Sequence, residues 1–153
     1  MFTLVPSNFF DASAERETLA GVAELKEGQE VKHIEIPQYD AVLVYAVDGD
    51  SDVLYPEIYQ VLNDLPKCPE YNKILCSIKD GILTLAIAQG KSLLLANWYN
   101  APDFTTAEYY IFLAMKSLQL NPEVSTICWR TPVDKEDEMS LYRYFKAVDC
   151  ICG

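Results

Sequence analysis

The residues predict an α/β (α+β) fold: a mixed sheet with helices on its faces, in the order β-α-β-β-α and then β-β-β-α-β-α-β. Three observations carry this. Apolar runs at 73–79, 82–88 and 92–98 are separated by Asp80-Gly81 and by Gln89-Gly90-Lys91. Asp-Gly between alternating apolar residues is a strong hairpin signal, because both central positions of a tight turn take positive φ. A long apolar helix at 105–119 follows, and then strand, helix and strand in alternation.

The elements read in order. Residues 2–5 form a short strand ending at Pro6. Asp11 or Ser13 caps a helix running to about Ala23, with Ala14, Leu19 and Val22 on its apolar side. Residues 30–36 alternate imperfectly through Val31, His33 or Ile34, and Ile36, and stop at Pro37. Residues 41–47 are continuously apolar, as a strand buried on both faces requires. A helix over 51–65 places Leu54, Ile58, Val61, Leu62 and Leu65 on one side, with Pro56 in its first turn and Pro66 at its end.

After the meander, Thr105 and Glu108 fit a capping box. Phe104, Tyr110, Ile111, Phe112, Leu113, Ala114, Met115 and Leu118 make the helix apolar around most of its girth, so it is expected to be wedged between layers. Asn121-Pro122 stops it. A strand at 124–130, a helix from about Asp134 to Lys146 and a strand at 148–152 complete the chain. Short connections and right-handed crossovers favour one mixed sheet flanked by helices. Residues 1–153 read as a single domain, with 1–70 a smaller flanking part and 71–153 a ribonuclease-H-like part; strand order does not follow from the sequence.

The chain has 153 residues, is 50% hydrophobic and 12% aromatic with ten tyrosines, and carries 12 basic against 23 acidic residues for a net charge of −11. That balance repels phosphate backbones and anionic lipid, which argues against nucleic acid and membrane surfaces as partners. No apolar run approaches the roughly 20 residues a membrane span needs, and the N-terminus lacks a signal-peptide layout. Five cysteines, an odd number, fall mostly in apolar runs where a free thiol acts as a small hydrophobe. The expectation is a cytoplasmic protein.

Other constellations are read structurally. Asp48-Gly49-Asp50-Ser51-Asp52 imitates the opening of a calcium loop, but positions six and twelve are Val53 and Tyr59 where an EF-hand needs glycine and glutamate. It reads as an acidic turn in which Asp50 or Ser51 caps the next helix. His33 lacks the companions of a catalytic triad. Cys150-x-Cys152 lacks metal-ligand spacing, and His33 is the one histidine. Glu136, Asp137 and Glu138 suit a helix start, where carboxylates complement the dipole. Trp98, Tyr99, Tyr109 and Tyr110 read as core packing rather than as a groove. No catalytic residue, metal site or cofactor is expected.

Phe2-Thr3-Leu4-Val5-Pro6, Phe10-Asp11, Arg16 and Val44-Tyr45-Ala46 resemble an uncharacterised Bacteroidetes family, the DUF3822 domain of unknown function. Gly90-Lys91, Leu94, Asn97, Asp103-Phe104, Tyr109-Tyr110, Leu118 and Leu120-Asn121-Pro122 carry the same resemblance over most of the chain. It implies a layout similar to actin-like proteins, including the pilus-assembly ATPase-like branch, and brings no biochemical activity with it. Longer members have an additional strand-rich segment before the Leu-Val-Pro motif, at which this chain starts.

In actin-type ATPases two lobes close on a nucleotide, and each contributes a hairpin with turn glycines and a carboxylate near the metal. The corresponding hairpin here, residues 74–84, offers Asp80 and Gly81 as its weak candidates for cofactor binding. It has a single glycine and no acid in its first strand. A non-catalytic module that binds a protein partner or itself is therefore expected. A nucleotide-binding protein completed by a missing lobe or another chain is the alternative. The self-association expectation is a homodimer through residues 2–10, with three phenylalanines, because a lobe without the strands that longer relatives supply is expected to leave a sheet edge or an apolar helix face uncovered.

Overall fold

The structure is a computed structural model that describes residues 2–21, 29–48 and 55–151. The chain divides into two compact units, residues 1–59 and 60–153.

In the first unit, β1 (Phe2–Pro6), α1 (Glu15–Ala20), β2 (Gln29–Ile36) and β3 (Ala41–Asp48) follow the expected order. The strands form their own antiparallel sheet, β1-β3-β2, rather than extending a single mixed sheet. The central strand β3 is the continuously apolar one, and its adjacent Leu43 and Val44 are both fully buried, so both faces are covered. On one face Leu19 of α1 packs with Val42, Val44, Val5 and Phe10. The Asp11 carboxylate accepts from the Ser13 N–H at 3.0 Å, as its capping role requires, but it caps a 3-10 turn (Ala12–Ala14) from which the shorter α1 continues. Ala23 and residues 49–54, including the acidic turn and its proposed caps, lie outside the described residues.

Helix α2 (Glu57–Asp64) carries the chain into the second unit and ends in a 3-10 turn, Leu65–Lys67, that contains Pro66. Its Ile58, Val61 and Leu62 are buried, as is Leu65, matching the apolar spacing.

The second unit is built on β4 (Asn72–Lys79), β5 (Ile82–Gln89), β6 (Ser92–Asn100), α3 (Phe104–Ser117), β7 (Thr126–Trp129), α4 (Lys135–Tyr142) and β8 (Ala147–Cys150). Strand order is β6-β5-β4-β7-β8, antiparallel across the meander and parallel through β4, β7 and β8. The order of elements along the chain is the expected ribonuclease-H-like one, and the structure adds the strand order. One face carries the core: Ile74, Cys76, Leu83, Leu85, Ile87, Ile127 and Trp129 pack against Ala107, Ile111 and Met115 of α3 and against Leu141 and Phe145.

Helix α3 departs from its expected form in three respects. Its cap is Asp103, whose carboxylate accepts from the Thr106 N–H at 2.7 Å, not Thr105. Glu108 is consequently free to accept from the Ser140 hydroxyl at 2.8 Å, which ties α3 to α4. The helix is not wedged: Tyr109 is 61% and Leu113 49% exposed, because the sheet and α4 cover only part of its girth. It also stops before Asn121-Pro122. Gln119 takes φ +58°, and the Gln119 and Leu120 N–H groups return to the carbonyls of Lys116 and Met115, a Schellman ending without glycine. The strand expected at 124–130 shortens to β7 because Pro122–Val124 is a 3-10 turn.

Candidate functional site

The parallel strands β4 and β7 deliver their carboxyl ends to one place, where ligands of open α/β sheets characteristically bind. Backbone pairing continues past β7, with the Arg130 N–H donating to the Cys76 carbonyl at 2.8 Å, and the Thr131 hydroxyl oxygen then accepts the Ile78 N–H at 3.0 Å. Beside them lies the β4–β5 turn. Asp80 (φ +53°) and Gly81 (φ +74°) form the expected two-residue turn, and the Gly81 carbonyl accepts from the Ala101 N–H at 2.8 Å. That bond fixes the exit of β6 against the hairpin and positions Pro102, Asp103 and the start of α3.

These pieces enclose a hollow of about 280 Å³, walled by Ile78, Gly81, Ala101–Phe104, Trp129, Thr131–Val133 and Asp137. Phe104 and Trp129 form its aromatic wall, with ring centroids 5.7 Å apart. A second hollow of about 260 Å³ shares Trp129, Pro132 and Val133 and adds Glu138, Val148, Asp149 and Cys150. Four carboxylates thus border the two hollows, and among the described residues no lysine or arginine lines either.

Asp103 is held below the ordinary carboxylate range by the hydrogen bonds it accepts from Thr106. Asp137 is pushed up, first by burial and then by the neighbouring Asp134 and Glu136. Its backbone N–H donates to the Asp134 carboxylate at 2.8 Å, the cap of α4. Trp129 is 1% exposed, and its indole N–H has no hydrogen-bond partner among the described residues.

Of the two sequence candidates, Gly81 lines the hollow and Asp80 does not; Asp80 serves the turn. Asp137 belongs to the acidic run read from sequence as a helix start, and it is that as well as part of the wall. Asp103 and Trp129 carried no sequence signal as site residues, because only the fold brings residues 78–81, 101–104 and 129–137 together.

The remaining sites are dispersed. His33 pairs with Glu15 in the first unit, beside the Phe10 ring. Tyr99 and Tyr110 stack at 4.6 Å against the core, whereas Tyr109 points outward. Cys68, Cys76 and Cys128 are buried free thiols; Cys150 is disulfide-bonded rather than free, and Cys152 lies outside the described residues. Among the described residues, no group of three or more His, Cys, Asp or Glu side chains is placed to hold a metal ion, and no helix is long and apolar enough to cross a membrane.

Residues 1–148 match the model of a family described as "Protein of unknown function (DUF3822)". Among solved structures, the chain is similar to a Bacteroides thetaiotaomicron VPI-5482 protein described as having an actin-like ATPase fold and unknown function. The two are 17% identical with a TM-score of 0.79, over 98% of this chain and 64% of that one. The chain therefore spans just under two thirds of that protein's length, and at this identity the likeness shows the fold. No curated protein matches the chain.

Proposed function

The chain belongs to this family of proteins of unknown function and has an actin-like ATPase fold, and from that premise we propose that it is a non-catalytic module that binds a protein partner. The observation that carries the reading is the lining of the hollow at the carboxyl ends of β4 and β7. Its walls combine the Phe104 and Trp129 rings and apolar side chains with Thr131, its charged groups are carboxylates, and no basic side chain among the described residues lines it. Phosphoryl transfer depends on cations and backbone donors gathered around the transferring group. The carbonyl of the one glycine in the β4–β5 turn accepts from the Ala101 N–H, and Asp80 serves the turn. At about 280 Å³ the hollow also falls just below the roughly 300–1,000 Å³ of sites for drug-sized ligands.

A nucleotide-binding reading has one observation in its favour, the position of the hollow at the carboxyl ends of parallel strands. Phosphate release separates the two. Purified protein with ATP and magnesium is expected to release no phosphate above a boiled control. Release that disappears in Asp137→Asn would refute the non-catalytic reading and establish turnover at this site.

A further inference from the structure

We propose that the open edge of β6 pairs with β6 of a second copy of the chain, antiparallel and centred on Asn97, so that two five-stranded sheets join into one across a two-fold axis.

Among the described strands β6 pairs with β5 alone, so one row of its backbone groups has no strand beside it. The hairpin turn decides which groups those are. Lys79 and Ile82 close the Asp80-Gly81 turn, and the Gly81 carbonyl accepts from the Ala101 N–H. The ladder bonds of β5 to β6 therefore run from Leu83 to Tyr99, Leu85 to Asn97 and Ile87 to Leu95. Ala96, Trp98 and Asn100 turn their N–H and C=O groups outward. The Trp98 N–H bears this out, because it donates to the Asn97 side-chain oxygen at 2.9 Å. Proteins usually blunt such an edge by keeping it short or by placing proline or charge on it. β6 is nine residues long and contains neither. The register shift between Ile87 and Ala88 falls before Leu95 and leaves residues 95–100 regular.

The residues of the edge select a second copy as the occupant. Pairing about Asn97 sets Ala96 opposite the second copy's Trp98, small against large, with the outward backbone groups of both in register. It sets Leu95 opposite the second copy's Tyr99, an aliphatic–aromatic pair of the kind that stabilises neighbouring strands. Both are only partly buried, and Tyr99 already stacks on Tyr110 at 4.6 Å, so an added strand completes their cover. The net charge of −11 opposes association in general. Residues 92–102 nevertheless carry no charge, and the same register brings the exposed Lys91 of each copy toward the exposed Asp103 of the other. An unrelated extended segment would satisfy the backbone alone; the match of size and charge about Asn97 is to β6 itself.

The test is the mass of the full chain by sedimentation over a micromolar to millimolar range, at about 0.15 M salt to screen the net charge. The expected result is a rise with concentration from 17.3 kDa toward twice that value. Ala96→Pro keeps the ladder to β5, since the N–H it removes faces away, and proline is tolerated on edge strands in that orientation. It deletes two hydrogen bonds per dimer and is expected to weaken association about tenfold or more. Asn97→Cys, facing its own counterpart within disulfide reach, is expected to crosslink the dimer under oxidised glutathione. Asn100→Cys, equally exposed on the same strand, is expected to crosslink no more than wild type. The cysteine pair decides the matter even if Ala96→Pro fails to fold.

A mass of 17.3 kDa at every concentration would overturn the proposal. A dimer undiminished in folded Ala96→Pro, or one crosslinked as readily through Asn100→Cys as through Asn97→Cys, would overturn it too, by moving the contact away from this register.

Discussion

Gly81 illustrates how one residue holds the site together. Its φ of +74° is a region that costs an L-residue about 1–2 kcal/mol, yet a Cβ built there meets nothing within 4 Å. The cost of substitution is therefore backbone strain alone. Gly81→Ala is expected to destabilise by about 1 kcal/mol in denaturant unfolding, and Gly81→Asn by distinctly less, since Asn tolerates the left-handed region. Equal losses in both would mean that packing, not conformation, reserves the position for glycine. Gly90 differs: at φ +57° its added Cβ would approach the Tyr71 ring at 3.1 Å, but that ring is largely exposed and can move aside.

At the scale of the element, the start of α3 shows what a pattern of residue types leaves undecided. Thr105 with Glu108 and Asp103 with Thr106 are both good capping pairs, and they compete for the same free N–H groups. Asp103 wins because the Gly81–Ala101 hydrogen bond fixes the chain just before it, so that its carboxylate meets Thr106. Asp103→Ala is therefore expected to lower the melting temperature by roughly 2–4 °C and Thr105→Ala to leave it nearly unchanged. The reverse order would restore the capping box.

The same contrast explains what was legible. The three meander strands, the Asp80-Gly81 turn and the order of later elements follow from local patterning, which neighbouring residues settle among themselves. The separation into two sheets, the exposure of Tyr109 and Leu113, and the Schellman ending at Gln119 depend on what packs alongside. The hollow was less visible still. Asp137 had a sufficient local explanation as a helix-start residue, Asp103 lay ahead of the expected cap Thr105 with no role of its own, and nothing in the sequence brings either to Trp129.

Within the second unit, distant segments are joined by a small polar knot. The Glu70 carboxylate accepts from the Thr126 hydroxyl and the Lys146 ammonium, both at 2.9 Å, linking the approach to β4 with β7 and the approach to β8. The Lys146 and Thr126 hydrogen bonds hold Glu70 below its ordinary value of 4.5. A carboxyl depressed in the folded state contributes stability that is fully present above its unfolded pKa and lost as pH falls through the folded one. Glu108 and Asp137, raised mainly by burial, act in the opposite sense, so a single variant isolates the effect. Wild type is expected to melt up to roughly 2–4 °C above Glu70→Gln at pH 7, the scale of a partly exposed pair. That gap should close as the pH falls below about 4.5 and through the lowered pKa of Glu70. A gap independent of pH would assign the loss to geometry rather than charge.

Across the whole molecule, an actin-like ATPase fold carries a hollow bordered by Asp103, Asp137 and aromatic rings, with no basic side chain among its described lining residues, a lining unsuited to nucleotide phosphates. The most direct measurement is the melting temperature of the full chain with and without magnesium–ATP at millimolar concentration. A ligand that binds the native state at 100 times its Kd stabilises by about 2.7 kcal/mol, a rise of several degrees for a chain of this size. No change with magnesium–ATP is expected; a rise that grows with ATP concentration would contradict a hollow unsuited to nucleotide.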